Sequence, residues 1–294
     1  MDASSPLRAT YTLRAEKLRS LTTCDTALST SPQPAVIAIC GSFNPIHNAH
    51  FKLYRAAKTA LEAHGTYTVL GGFFSPVSDA YGKSGLKSAA QRVRIADDAV
   101  RDHAELNVDA WECLQPTYTR TLYVLQQLEM HVNAWYAQHE ANAVAQLTAH
   151  GRRVRVVFVC GADLFSSFWR PGCWPLGLLK QLLDAFPLVV VYRDSEGEVR
   201  CAEDFERVCR TAPVLTETAA DGTTAELNIG AYKFTFAQFE QPDSTSSTAV
   251  REVAAAMAKA RSGDAAALDK LRGELASMVP ANAVSSIEEC YGGG

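Results

Sequence analysis

The chain has 294 residues, 47% of them apolar, which suffices for one large α/β core or two modest domains without covalent staples. A formal net charge of −4 provides no broad cationic field and argues against sequence-independent binding of DNA or RNA, although a nucleotide needs only a local positive site. Eight cysteines with no CxxC pair and no repeated spacing argue against a zinc ribbon or a disulfide framework. They fit a reducing compartment, with Cys40 and Cys160 ending apolar runs as small buried hydrophobes.

In chain order, residues 1–34 are rich in Ser, Thr, Arg and Ala and read as a disordered extension; Asp2, Glu16 and Asp25 speak against a transit peptide. The run AVIAIC, Ala35 to Cys40, predicts a buried strand that Gly41 stops, and helical spacing follows over about 48–64. A second strand, Thr66 to Phe74, completes a βαβ unit, which implies parallel strands and a right-handed crossover. After a Gly/Ser/Pro/Lys loop through Leu86 come a helix near 88–102, a strand near 106–111 and a long helix from Thr119 into the 130s. The polar stretch 138–153 reads as a surface insertion. Strands VRVVFVC, ending at Cys160, and PLVVVYR flank two short helical stretches, 163–168 and 176–186. Residues 194–224 read as a variable, partly helical excursion and Tyr232 to Phe239 as a last strand; from Thr245 the chain is helical, with breaks near Gly263 and Pro280. The alternation predicts an α/β fold: a doubly wound, Rossmann-like parallel sheet with helices on both faces, a helical C-terminal segment and ligands at the carboxyl ends of its strands. No apolar run approaches the ~20 residues that a bilayer-crossing helix needs, so no membrane partner is expected.

Two helix starts carry groups suited to phosphate. Gly41-Ser42-Phe43-Asn44-Pro45-Ile46-His47-Asn48-Ala49-His50 joins the first strand to the first helix, where free backbone N–H groups and the helix dipole favour an anion. The segment is neither GxGxxG nor a P-loop. His47 and His50, at i and i+3, share one face of the opening turn, and an imidazole there can donate to phosphate oxygens. Taken alone, such a pair also fits a surface or capping arrangement, whereas a zinc site lacks an obvious third ligand. Ser244-Thr245-Ser246-Ser247-Thr248-Ala249-Val250-Arg251 opens a later helix, with hydroxyls that can cap it or bind phosphate and Arg251 on the side of Ser247.

These strings resemble a known family. GSFNPIHNAH is similar to the (H/T)xxH signature of the nucleotidyltransferase superfamily, in the GSFNP form of the nicotinamide/nicotinate mononucleotide adenylyltransferases. STSSTAVR is similar to that family's ISSTxIR, with Thr245 and Val250 in place of Ile. Ser75 to Leu86 resembles the eukaryotic-type SPVxDAYxKxGL loop, Asp109 to Leu114 the VDxWExL segment and Cys160 to Leu164 the CGADL segment. Trp174, eleven residues past Asp163, falls where the family keeps a second tryptophan, and MVPANAV is similar to its VPDxV. The likeness runs from about Val36 to Val284 and is weak over 131–153 and 194–240. Ala249 replaces a lysine that the family often keeps, and Glu240 and Asp243 represent its Glu/Asn pair only loosely.

The resemblance implies one nucleotidyltransferase domain over 35–291, with variable insertions near 131–153 and 194–224, that transfers the adenylyl group of ATP to nicotinamide or nicotinate mononucleotide. It makes His50, with His47 in support and Arg251, the catalytic groups. It assigns Gly41, Ser42, Phe43, Lys83, Ser246, Ser247 and Thr248 to ATP and its phosphates. Tyr81, Trp111, Glu112, Leu114, Gly161, Asp163 and Trp174 go to the mononucleotide or dinucleotide, with both tryptophans offered to the pyridine ring. Mg²⁺ or another divalent ion would arrive with ATP, without a metal site of the protein's own. No nucleic-acid partner is implied, and the oligomeric state, a homo-oligomer included, stays open. Cytoplasm is the expected location, with the nucleus as the alternative.

Overall fold

The computed structural model describes residues 11–23, 32–63, 65–192, 199, 201–218, 222–240, 243–261 and 265–292. Its strands are β1 (Gln33–Gly41), β2 (Tyr67–Pro76), β3 (Leu106–Val108), β4 (Arg155–Gly161), β5 (Leu188–Tyr192), β6 (Val214–Thr218), β7 (Thr224–Asn228) and β8 (Thr235–Gln238). Six of them form a sheet in the order β3-β2-β1-β4-β5-β8, parallel at every pairing. The helices are α1 (Asn48–Ala63), α2 (Ala89–Val100), α3 (Thr121–His139), α4 (Ala141–Ala149), α5 (Ala162–Ser166), α6 (Leu176–Ala185), α7 (Ala202–Thr211), α8 (Ser247–Ala260), α9 (Ala265–Met278) and α10 (Val284–Tyr291).

Successive residues of the central strands feed opposite cores, which is why these strands read as unbroken apolar runs. Val36, Ala38, Val156, Phe158 and Val190 face the core built with α3, α4 and α6. Ala35, Ile37, Val157, Val159 and Val189 face the one built with α1, α2, α8 and α10. The expected doubly wound sheet is therefore present, with helices on both faces and a helical C-terminal segment. Among the described residues no helix is long and apolar enough to cross a membrane.

Three stretches differ from expectation. Residues 11–23, read as part of a disordered extension, lie across the sheet: Leu13, Ala15, Leu18 and Leu21 are buried in the α3 core. Arg19 N–H donates to Leu70 O at 2.8 Å, and Leu70 is the residue that the β2 bulge pushes out of register with β1. Gly71 next to it lets Leu18 approach, since a Cβ there would stand 2.9 Å from Leu18 Cδ2. The apolar residues of this strap follow neither helical nor strand spacing, so periodicity could not reveal it. Residues 1–10 and 24–31 of the expected extension lie outside the described residues. The supposed surface insertion at 138–153 continues α3 and adds α4, whose Ala143 and Leu147 are buried. In the partly helical excursion read at 194–224, α7 supplies the helix, and the unexpected part is the antiparallel hairpin of β6 and β7 that follows it; 193–198, 200 and 219–221 lie outside the described residues.

Candidate functional site

In this strand order the chain departs to one side after β1 and to the other after β4, and the carboxyl ends of these two neighbours open a crevice. A cleft of about 610 Å³ occupies that place.

One wall is the turn after β1. Gly41, Ser42, Phe43, His47 and His50 all line the cleft. Phe43 takes a left-handed φ of 42°, a strained value for a bulky residue, and is held there by burial and by edge contacts with His50 and Phe74 at 4.9 and 5.4 Å. His47 N–H donates to His50 Nδ1 at 3.1 Å, and His50 N–H donates to His47 O at 2.9 Å. A backbone N–H can only donate, so Nδ1 of His50 accepts and the neutral ring carries its proton on Nε2. The two rings lie 3.8 Å apart, with His47 buried and His50 half-buried.

The second helix start braces the first. Ser246 caps α8 by accepting from Ala249 N–H at 3.2 Å, and Ser247 donates its hydroxyl to Pro45 O at 2.9 Å. Both serines line the cleft. Arg251 and Thr248 stand behind the turn instead of in the cleft wall. Arg251 donates to Asn44 O at 2.7 Å and to Thr248 Oγ1 at 3.1 Å. The buried Asn44 side chain ties the turn to two more segments, donating to Gly85 O at 2.9 Å and accepting from Lys87 N–H at 3.1 Å and the Tyr291 hydroxyl at 2.5 Å.

The loop after β2 supplies Tyr81 and Lys83 to the rim, both exposed, and Tyr81 leans on Tyr118 at 5.8 Å between ring centroids. From the end of β4, Gly161 and the exposed Asp163 face the cleft; a Cβ on Gly161 would lie 2.6 Å from Asp163 Oδ1, so glycine is needed for that carboxylate's placement. Trp174 also lines the cleft, its Nε1–H donating to Ser167 Oγ at 2.9 Å and its ring set edge-on to Phe168. Trp111 opens a short 3₁₀ turn, Glu112–Leu114, and is half-buried; Glu112 of that turn reaches the cleft, whereas Trp111 and the exposed Leu114 stand outside its wall.

Three features of the site escape sequence reasoning. Arg92 is fully buried and donates to Ser42 O (2.9 Å), Val77 O (2.6 Å) and Lys87 O (2.8 Å), clamping the turn after β1 to the loop after β2. Nothing in QRVRIADD distinguishes it from an ordinary helix-surface arginine. Tyr118 at the rim belongs to no motif singled out above. Glu112 lies in a motif, but nothing in the sequence marks it as a buried acid. Burial pushes its carboxyl up to about 7, aided by the charge of Asp109 and opposed by the Ser78 N–H and Arg92.

Glu112 therefore favours folding in its protonated form: its stabilising contribution is complete below the unfolded value near 4.3 and is lost as pH rises through about 7. Glu112→Gln is accordingly expected to be more stable than the parent above pH 7, by about 4 kcal/mol at most, with the gain shrinking as pH falls and vanishing below about pH 4. Urea unfolding at several pH values measures this, and a gain independent of pH would contradict it.

Residues 38–253 match the cytidylyltransferase-like family model. A 161-residue stretch is 37% identical to nicotinamide/nicotinic acid mononucleotide adenylyltransferase 1 of Saccharomyces cerevisiae, covering 54% of this chain and 39% of that protein. The nicotinamide/nicotinic acid mononucleotide adenylyltransferase of Oryza sativa subsp. japonica is 34% identical over 184 residues, 62% of this chain and 66% of its own. That of Arabidopsis thaliana is 30% identical over 186 residues, 63% and 70%. The chain thus spans well under half of the yeast relative and just under two thirds of the rice one.

Proposed function

The chain belongs to the cytidylyltransferase-like family, in its branch of nicotinamide/nicotinic acid mononucleotide adenylyltransferases, and from that premise we propose that it makes a dinucleotide from ATP and nicotinamide or nicotinate mononucleotide. The observation that carries this reading is the cleft at the β1/β4 crevice, where a histidine-bearing helix start, a serine-bearing helix start, Lys83, Asp163 and Trp174 meet.

The 5′-phosphate oxygen of the mononucleotide attacks the α-phosphorus of ATP in line. The new P–O bond forms as the bond to the β-phosphate oxygen breaks, and pyrophosphate leaves. The protein's part is alignment and charge stabilisation. His50 donates from Nε2 to phosphate oxygens, with His47 and the N–H groups opening α1 in support. Ser246, Ser247 and Lys83 bind phosphates at the same end, and Arg251 adds positive charge from behind the turn. Gly161 and Asp163 take ribose hydroxyls. Trp174 takes the pyridine ring from the cleft wall, beside Glu112, and Trp111 flanks the ring from just outside that wall. Mg²⁺ arrives as part of Mg–ATP, held by phosphate oxygens and water; among the described residues no three His, Cys, Asp or Glu side chains gather as a cage of their own. The cysteines described are free, which suits a reducing compartment such as the cytoplasm.

Incubation with ATP, Mg²⁺ and each mononucleotide in turn is expected to yield NAD or its deamido form together with pyrophosphate. Absence of dinucleotide from both would overturn the reading, and the ratio of the two rates fixes the preference between amide and acid.

A further inference from the structure

The strap at 11–23 lies outside the 38–253 family match, and its Tyr11 meets Asp109, two residues before Trp111. Tyr11 donates its hydroxyl to Asp109 Oδ1 at 2.8 Å and sets its ring edge-on to His131 at 4.7 Å. Asp109 is 1% exposed and follows the last residue of β3. The same Oδ1 accepts the Trp111 backbone N–H at 3.0 Å, while Oδ2 accepts the Ser75 hydroxyl at 3.2 Å. One buried carboxylate thus ties three segments: the strap, the end of β2, and the 3₁₀ turn that carries Glu112 into the cleft. Such a group holds its geometry only while its donors are present, because a buried acceptor that loses one is left partly unsatisfied.

We propose that Tyr11 is a positioning residue for the pyridine half of the site, holding Trp111 and its turn in place through the Asp109 carboxylate. The strap is built to deliver it. Arg14 pairs with Asp97, Lys17 donates to Arg101 O at 3.1 Å, and the Tyr136 hydroxyl donates to Arg19 O at 2.7 Å. Leu21 N–H donates to Glu140 Oε2 at 2.9 Å, so the segment is fixed to α2, α3 and α4 along its length. Of the other ties of the 3₁₀ turn, Cys113 Sγ to Pro76 O at 3.1 Å and Ser78 N–H to Glu112 at 3.4 Å lie beyond Trp111, while Leu114 N–H (3.2 Å) and the Gln115 side chain (2.9 Å) donate to Trp111 O from within the turn itself; Asp109 is the acceptor that fastens the Trp111 N–H to the strap and to the end of β2.

The inference rests on the pyridine-binding role given to Trp111, and Tyr11→Phe tests the two separately. The variant keeps the ring and removes the hydroxyl. By hydrogen exchange, the Trp111 amide in a 109–115 peptide is expected to open about tenfold faster or more, with peptides of β1 and β4 unchanged. In the transfer assay, the KM for the mononucleotide is expected to rise about three- to tenfold while kcat and the KM for ATP stay within about twofold. Arg14→Ala loosens the same strap away from Asp109 and is expected to leave exchange at 109–115 unchanged. Unaltered exchange at Trp111 in Tyr11→Phe, acceleration spread evenly over the sheet, or equal acceleration in Arg14→Ala would each overturn the inference. So would equal changes in the two KM values. If the parent protein makes no dinucleotide, the proposed function fails, and exchange alone then decides whether Tyr11 holds Trp111.

Discussion

Replacing His50 with alanine is expected to lower the turnover of dinucleotide formation at least about tenfold, about 1.4 kcal/mol of barrier, while the protein stays folded. The ring is half-buried at the cleft, and its Nδ1 is committed to the His47 N–H, so the proton sits on Nε2. That fixed donor is set at the end of α1 where the unfilled N–H groups already favour negative charge. Its value is greatest as charge shifts toward the departing pyrophosphate, so the loss should fall on kcat more than on the KM for ATP. Folding should survive, because the His50 ring stands half-buried at an open cleft, where water can take up the His47 N–H that its Nδ1 accepted. His47→Thr is expected to cost less: threonine stands at that position in relatives bearing the (H/T)xxH signature, and this ring is buried beneath His50. Steady-state kinetics with a thermal melt of each variant decides the matter. Near-normal turnover in a folded His50→Ala protein would remove His50 from the chemistry.

What the sequence discloses follows from what kind of signal each part carries. The buried parallel strands announce themselves because both faces are apolar, and the turn after β1 because glycine, proline and two histidines stand close together at a strand-to-helix junction. The strap at 11–23 carries no period, since it is held by scattered contacts with α2, β2, α3 and α4 and not by a ladder of its own. The β6–β7 hairpin is short and exposed along much of its length, so neither alternation nor burial marks it. Site residues divide in the same way. His50, Ser247, Asp163 and Trp174 lie in local motifs and come together at the cleft. Arg251 also lies in a motif, yet its guanidinium grips the Asn44 carbonyl from behind the turn, a choice of partner that depends on the start of α8 lying against the turn before α1. Trp111 stands one residue away from a cleft-lining acid and outside the wall itself, a displacement no linear pattern encodes.

Arg92→Ala is expected to destabilise the protein by about 3–5 kcal/mol, a large share of the roughly 5–15 kcal/mol that holds a domain folded. The guanidinium is fully buried, and three backbone carbonyls, one from the turn after β1 and two from the connection between β2 and α2, depend on it. Its carboxylate partner, Asp79 at 3.3 Å, is 61% exposed and would find water once the arginine is gone, so the ion pair contributes little of this cost. Most of it comes instead from the stranded carbonyls of Ser42, Val77 and Lys87, together with the void left by a large side chain. Lysine cannot rescue the site fully, because one ammonium lacks the planar fork that reaches all three acceptors. Since the clamp joins the turn after β1, which carries His47 and His50, to the loop bearing Tyr81 and Lys83, activity should fall further than the folded fraction does. Urea unfolding of Arg92→Ala and Arg92→Lys, read beside the activity per folded molecule, tests both halves. Stability within about 0.5 kcal/mol of the parent would show that water satisfies those carbonyls and that the clamp is dispensable. Lost stability with unchanged specific activity would confine Arg92 to the fold and leave Lys83 positioned by other means.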